Sequence, residues 1–285
     1  MAGKILSGKK VADSILEHAK KEVQVLKKKG ITPKLVVMQV GDDPASTIYV
    51  NKKHKTCVEI GIDSEIKKFG TEIKYTDFLV EIGNLNKDKR VHGILVQAPL
   101  PEHLSHKMVY ETIDVQKDVD GFHPCNHGKN LLGKDGLQPA TPKGIMRLLE
   151  ETGIKIEGKT AVVIGRSNIV GKPIALMLIN AGATTTVCNS KTKNLGNITK
   201  EADILISAVG KANLVKKNMV KKGAIVIDVG TNKNKKGKLC GDVDFENVKE
   251  IAGWITPVPG GVGPMTIASL IENTIKACKV LECAN

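Results

Sequence analysis

The chain is poor in aromatics: they make up 3% of its 285 residues, with a single Trp. So few π-faces leave little for base stacking and weigh against a nucleic-acid binder. No apolar run approaches the length that spans a bilayer, and Met1-Ala-Gly-Lys4 lacks the apolar core of a secretory signal. A soluble protein with no membrane partner is expected. The six cysteines are scattered, with no C-x-x-C pair. No disulfide framework is therefore expected, and reduced thiols in a cytoplasm are. Acidic residues are also outnumbered, 30 against 43 basic, for a formal net charge of +13. The lysines at 27–29, 216–217, 221–222 and between 233 and 238 are dispersed over several segments. That dispersion reads as a solvated surface whose field gathers small polyanions, with no nucleic acid as partner.

What is present is punctuated alternation of buried-looking strands and helical patterns. Val11, Ile15, Ala19, Val23 and Leu26 recur at helical spacing and Gly30 ends the run. Residues 34–40 and 91–97 read as buried strands, with helices over 46–60 and near 76–85. After a turn at Pro139-Ala-Thr-Pro142 and a helix over 143–151, strands are expected at 160–164, 184–188, 204–209 and 224–229. A long irregular loop is expected over 254–264, followed by a helix from Met265 to about Leu281. This alternation predicts an α/β fold of two α/β domains flanking a cleft, the second of them Rossmann-type.

The most informative stretch is Ala161-Val-Val-Ile-Gly-Arg-Ser-Asn-Ile-Val-Gly-Lys-Pro173. A strand that enters a helix N-terminus through a glycine-bounded turn points N–H groups and the helix dipole at an anion. It departs from G-x-G-x-x-G: Gly165 supplies the tight turn, Arg166 and Ser167 follow, and Gly171 closes one position late. Arg166 places a fixed cation beside the phosphates. The next strand ends in Asn189-Ser190-Lys191, without the carboxylate that holds the ribose hydroxyls of NAD. Both features favour NADP over NAD as cofactor.

Tyr49 and Lys53 project from one face of the 46–60 helix, a spacing that by itself also fits a solvated face. Gln97 ends an apolar strand, where open α/β sheets line their ligand crevice. Asp118-Val-Asp-Gly121 is either a turn or a loop that presents Asp120 to a substrate. His123-Pro-Cys-Asn-His127 brings three potential metal ligands close together, but its loop context and the lack of a partner cluster argue for no metal.

With these motifs in place, the chain resembles the bifunctional methylenetetrahydrofolate dehydrogenase/methenyltetrahydrofolate cyclohydrolase family over essentially its whole length. The resemblance lies in residues 40–46 with 49–53, then 93–101, 117–122, 165–173 and 256–266. It implies oxidation of 5,10-methylenetetrahydrofolate with NADP, then hydrolysis of the methenyl product to 10-formyltetrahydrofolate. It assigns catalytic roles to Lys53, Gln97, Tyr49 and Asp120. Folate contacts are implied for Val96, Ala98, Pro259, Gly260, Gly261, Val262 and Gly263. NADP contacts are implied for Gly165, Arg166, Ser167, Gly171, Ser190 and Thr231. The resemblance further implies a folate-binding catalytic domain of residues 1–142 with the helix 266–285, a cofactor domain of residues 143–265, and a homodimer. Ala140 stands where many relatives carry cysteine.

Overall fold

The computed structural model describes residues 3–234 and 237–283. Residues 1–2, 235–236 and 284–285, part of the N-terminal stretch, of the lysine run and of the expected last helix, lie outside the described residues. The chain opens with β1 (Lys4–Ile5) and α1 (Gly8–Lys28), then alternates through β2 (Lys34–Val40), α2 (Pro44–Ile60), β3 (Asp63–Phe69), α3 (Tyr75–Lys87) and β4 (Gly93–Val96). Three helices follow: α4 (His106–Thr112), α5 (Pro124–Leu131) and α6 (Ala140–Glu151). Next come β5 (Thr160–Ile164), α7 (Gly171–Asn180), β6 (Thr184–Cys188), α8 (Leu195–Thr199), β7 (Ile204–Ser207) and β8 (Ile225–Asp228). A short hairpin, β9 (Asn232–Lys233) and β10 (Leu239–Cys240), precedes α9 (Phe245–Val248), β11 (Trp254–Ile255) and α10 (Val262–Cys283).

The chain divides into two compact units. One comprises Ser14–Lys129, Asp135–Ala140 and the residues from Ile267 on. Its three-stranded parallel sheet has the order β3-β2-β4. The central strand β2 reads Leu35-Val-Val-Met38, every one of them fully buried. A continuous apolar run of this kind is what a parallel strand covered on both faces requires. One face packs Leu35, Val37 and Leu95 with Ala19, Val23, Cys57, Leu270 and Ile271. The other packs Val36, Met38 and Ile94 with Phe78, Ile82 and Val109. Alternate residues of β2 therefore serve opposite cores.

The other unit comprises the residues up to Asp13, Asn130–Lys134 and Thr141–Thr266. Its six-stranded sheet has the order β1-β11-β8-β7-β5-β6, all pairs parallel. From β5 the chain moves outward to β6, then returns across β5 to β7. That reversal makes the C-terminal ends of β5 and β7 a switch point, where doubly wound sheets bind ligands. β1 joins this sheet through Lys4↔Trp254 and Ile5↔Ile255, which places the first described residues with the second half of the chain.

Several boundaries differ from the sequence expectation, two of them because proline needs no N–H partner in a first helical turn. Pro142 lies inside the first turn of α6 rather than in a preceding turn. Residues 254–264 are not one irregular loop: β11 occupies 254–255, and α10 begins at Val262 with Pro264 in its first turn. Likewise Pro173 lies in the first turn of α7, as its third residue. The segment expected as loop around His123–His127 enters α5 at Pro124, and α4 is an additional helix capped by Ser105.

Candidate active site

In the unit built on β2, α2, the segment after β4 and the turn of Asp118–Gly121 meet around Lys53. The side chain of Asp43 caps α2 by accepting the N–H of Ser46, with Pro44 in the first turn. Lys53 then falls on the inward face of α2 with Ser46, Val50 and Cys57, and is only 8% exposed. Its Nζ donates to Gln97 Oε1 at 3.0 Å. Gln97 follows the end of β4, and its Nε2 donates in turn to the Ala98 carbonyl at 2.7 Å. Ser46 Oγ donates to the same carbonyl at 3.2 Å. The carboxamide of Gln97 is thus locked with its oxygen toward the amine, and Val96 is buried just before it.

Asp118-Val-Asp-Gly121 forms the turn its sequence allows. Asp118, 1% exposed, accepts the N–H of Phe122 at 3.1 Å, the N–H of His123 at 2.8 Å and the amide of Asn126 at 2.8 Å. It builds the turn. Gly121 has φ +73, and a Cβ there would lie 2.5 Å from the backbone of Gln138 and Pro139. Asp120, two residues on from Asp118, spends its carboxyl differently. Burial pushes its pKa up to about 6; the charge of Lys53 opposes that rise and the charge of Asp118 adds to it. Burial likewise pulls Lys53 down from its ordinary value, against the charge of Asp120. Burial thus draws the proton affinities of this amine and this carboxyl toward one another, the arrangement expected of a pair that handles protons. Tyr49, one turn before Lys53 on α2, keeps its ring exposed.

In the unit built on β5, the dinucleotide loop has the shape its glycines demand. Gly165 takes φ +118, and a Cβ there would stand 2.3 Å from the Ala208 carbonyl oxygen. A Cβ on Gly171 would stand 2.2 Å from the Gly165 carbonyl oxygen. Ser167 Oγ accepts the N–H groups of Val170 and Gly171, each at 3.2 Å, and so ties the loop to the start of α7. Its own O–H remains available to donate. Arg166 and Ser167 are exposed, as are Ser190 beyond β6 and Thr231 beyond β8. This is a cradle of N–H groups, a hydroxyl and a cation at the C-terminal edge of a parallel sheet, fit for a pyrophosphate. The loop from Thr256 to Gly261 packs against the start of α1: Lys9 N–H donates to the Gly260 carbonyl, and a Cβ on Gly8 would meet the Gly261 carbonyl oxygen at 1.9 Å. Pro259 is exposed there, and Val262 and Gly263 form the first turn of α10.

Among the described residues no group of three His, Cys, Asp or Glu is placed to hold a metal ion. His123 instead accepts the Cys125 N–H at 3.0 Å. No helix is long and apolar enough to cross a membrane, again among the described residues. Two polar residues of the β5 unit escaped the sequence reading: Asp228 and Asp242, both nearly or wholly buried. The available signal was a carboxylate closing the apolar run Ile225-Val-Ile-Asp228 and another in Cys240-Gly-Asp-Val243.

Residues 6–120 match the tetrahydrofolate dehydrogenase/cyclohydrolase catalytic domain, and residues 139–282 match the NAD(P)-binding domain of the same family. The bifunctional protein FolD of Halalkalibacterium halodurans is 53% identical over 279 residues, 98% of this chain and 100% of that protein. The crystal structure of the bifunctional enzyme FolD, methylenetetrahydrofolate dehydrogenase/cyclohydrolase, from Campylobacter jejuni superposes with a TM-score of 0.96 at 51% identity, covering 98% of this chain and 99% of that one. The Trypanosoma brucei methylenetetrahydrofolate dehydrogenase-cyclohydrolase, solved with NADP cofactor and inhibitor, gives a TM-score of 0.94 at 34% identity, covering 98% of each chain. Two domain matches in order and full-length identity above one half leave one assignment: the chain belongs to the tetrahydrofolate dehydrogenase/cyclohydrolase family.

Proposed function

We propose that Lys53, with Gln97 and Asp120, carries the proton transfers of an enzyme that oxidises 5,10-methylenetetrahydrofolate with NADP and hydrolyses the methenyl product to 10-formyltetrahydrofolate. The observation that carries this reading is the buried Lys53 amine, hydrogen-bonded to Gln97 and electrostatically coupled to Asp120. The bound nicotinamide supplies the hydride acceptor. The protein's share of the first step is orientation, for which Tyr49, Val96, Ala98 and residues 259–263 are the folate contacts.

In the second step water adds to the cationic methenyl carbon. The O–C bond forms and the neutral amine of Lys53 takes one water proton; that proton returns to the ring nitrogen as the C–N bond breaks, and the remaining hydroxyl proton is released to solvent as the formyl C=O forms. A lysine at its ordinary pKa would be fully protonated and useless as a base. Burial lowers that pKa, and a cationic substrate lowers it further. Gln97 holds the amine through a neutral oxygen, so it positions the base without restoring its charge.

The loop suits NADP because Gly165 and Gly171, where a Cβ would clash with backbone, let the turn close tightly onto the start of α7. Gly165, Arg166, Ser167, Gly171, Ser190 and Thr231 would hold it, Arg166 supplying a cation for a phosphate. We assign folate chemistry to residues 1–142 with 266–285 and cofactor binding to residues 143–265, although the residues up to Asp13 and Asn130–Lys134 pack within the β5 unit. We also infer a homodimer and a cytoplasmic setting. β6 leaves an open sheet edge with Val187 exposed on it and Ile179 exposed on the adjoining α7, which supports self-association. Six unpaired cysteines support a reducing compartment.

The test is a two-wavelength assay on purified protein with methylenetetrahydrofolate and NADP, following NADPH formation and methenyl decay. Lys53→Met is expected to slow ring opening by about 10²- to 10⁴-fold. Undiminished ring opening in that variant would remove Lys53 from the mechanism.

A further inference from the structure

Asp242 stands in the turn between β10 and α9 and is wholly buried. Its Oδ2 accepts Ser207 Oγ at 3.1 Å, Val209 N–H at 2.8 Å and Gly210 N–H at 3.3 Å. Its Oδ1 accepts Lys211 N–H at 2.8 Å and Asn232 Nδ2 at 3.0 Å. One carboxylate therefore collects three successive backbone N–H groups of the turn after β7 and a side chain from the segment after β8. Asp228, at the end of β8, seats it by accepting the N–H groups of Asp242 and Val243, each at 2.9 Å. The fit is close enough to dictate glycine on both sides. A Cβ on Gly230 would lie 2.2 Å from Asp242 Oδ1, and one on Gly241 would lie 1.8 Å from Asp228 Oδ2.

The two segments so held are not arbitrary. The turn after β7 is the wall of the switch-point crevice that faces the dinucleotide loop, since Gly165 has no room for a Cβ against Ala208. The segment after β8 carries Thr231, next to the clamped Asn232. A buried carboxylate that accepts five donors is expensive to desolvate, and core packing alone does not call for one. It is useful where several N–H groups must converge in a turn that the sheet ladder cannot satisfy.

We propose that Asp242 is a positioning residue for the nicotinamide cofactor: its carboxylate fixes the turn after β7 and the segment after β8 as the wall against which the cofactor lies. The proposal rests on the dehydrogenase reading above. It separates the two activities of the chain, because oxidation consumes NADP whereas ring opening consumes only water.

The experiment compares wild type with Asp242→Asn, whose amide group replaces one acceptor oxygen by a donor that faces other donors. Far-UV circular dichroism and thermal unfolding establish that the variant folds. Expected is a rise in KM for NADP of about tenfold or more, with ring opening of methenyltetrahydrofolate held within about twofold. A purely structural role would lower both activities together, and that result, or an unchanged KM, overturns the proposal. If Asp242→Asn does not fold, Asn232→Ala decides: it releases only the β8 segment. A raised KM for NADP with intact ring opening supports the clamp, and an unchanged KM overturns it. A wild-type protein that opens the methenyl ring but forms no NADPH refutes the dehydrogenase reading itself, and the proposal with it, and is recognised before any variant is made.

Discussion

Replacing Asp120 by Asn should make the protein more stable at neutral pH while damaging its chemistry. The Asp120 carboxyl titrates at about 6 instead of 3.8, with burial the largest cause. Because the native state holds this proton more tightly than the unfolded chain, stability falls as pH rises through the window from about 4 to about 6, and the full penalty is present above it. A rise of that size corresponds to about 3 kcal/mol. Asn carries no charge to bury, so the variant escapes the penalty. It gives part of the gain back, because Lys53 loses the anion that opposes its own desolvation. The expected net gain is about 1–3 kcal/mol at neutral pH, shrinking toward zero at about pH 4. Urea unfolding of both proteins at the two pH values measures this. Asp228, also raised by burial, titrates in wild type and variant alike, and so cancels in the difference. A pH-independent difference, or a variant less stable than wild type at neutral pH, would refute burial of charge as the cause. In the same variant the amine of Lys53 loses its proton at lower pH, so the acid limb of the ring-opening profile should move toward acid.

Two further outcomes test the frame of each unit. Gly165→Ala places a side chain at φ +118 and 2.3 Å from the Ala208 carbonyl oxygen. The expected loss is about 1–3 kcal/mol of stability, read by thermal unfolding, with a weakened affinity for NADP read by the KM of the dehydrogenase assay. Phe78→Ala empties a site that is fully buried and edge-on to Phe69 at 5.4 Å. It should cost about 3–5 kcal/mol in urea unfolding, and a loss below about 1 kcal/mol would mean that α3 does not anchor this core face.

The sequence by itself determined most of the architecture. Runs such as Leu35–Met38 and Ala161–Ile164 are apolar on every residue because a parallel strand has no solvent face, and that signal is local. The glycine loop was equally legible, since φ beyond +100 at Gly165 is a property the residue type announces. Family motifs named Lys53, Gln97 and Asp120 without any coordinates. Only the tertiary structure decided what each of them touches. Lys53 and Gln97 are separated by 44 positions, and their 3.0 Å bond exists because α2 packs beside the end of β4. The same holds for Asp118 and Asp120, identical in type and two apart: one spends its carboxyl on three donors and the other faces an amine. The role of Asp242 was illegible for the same reason. Its five donors come from two separate segments of the chain, both held to it only by the fold, and no local pattern records a convergence that only folding brings about.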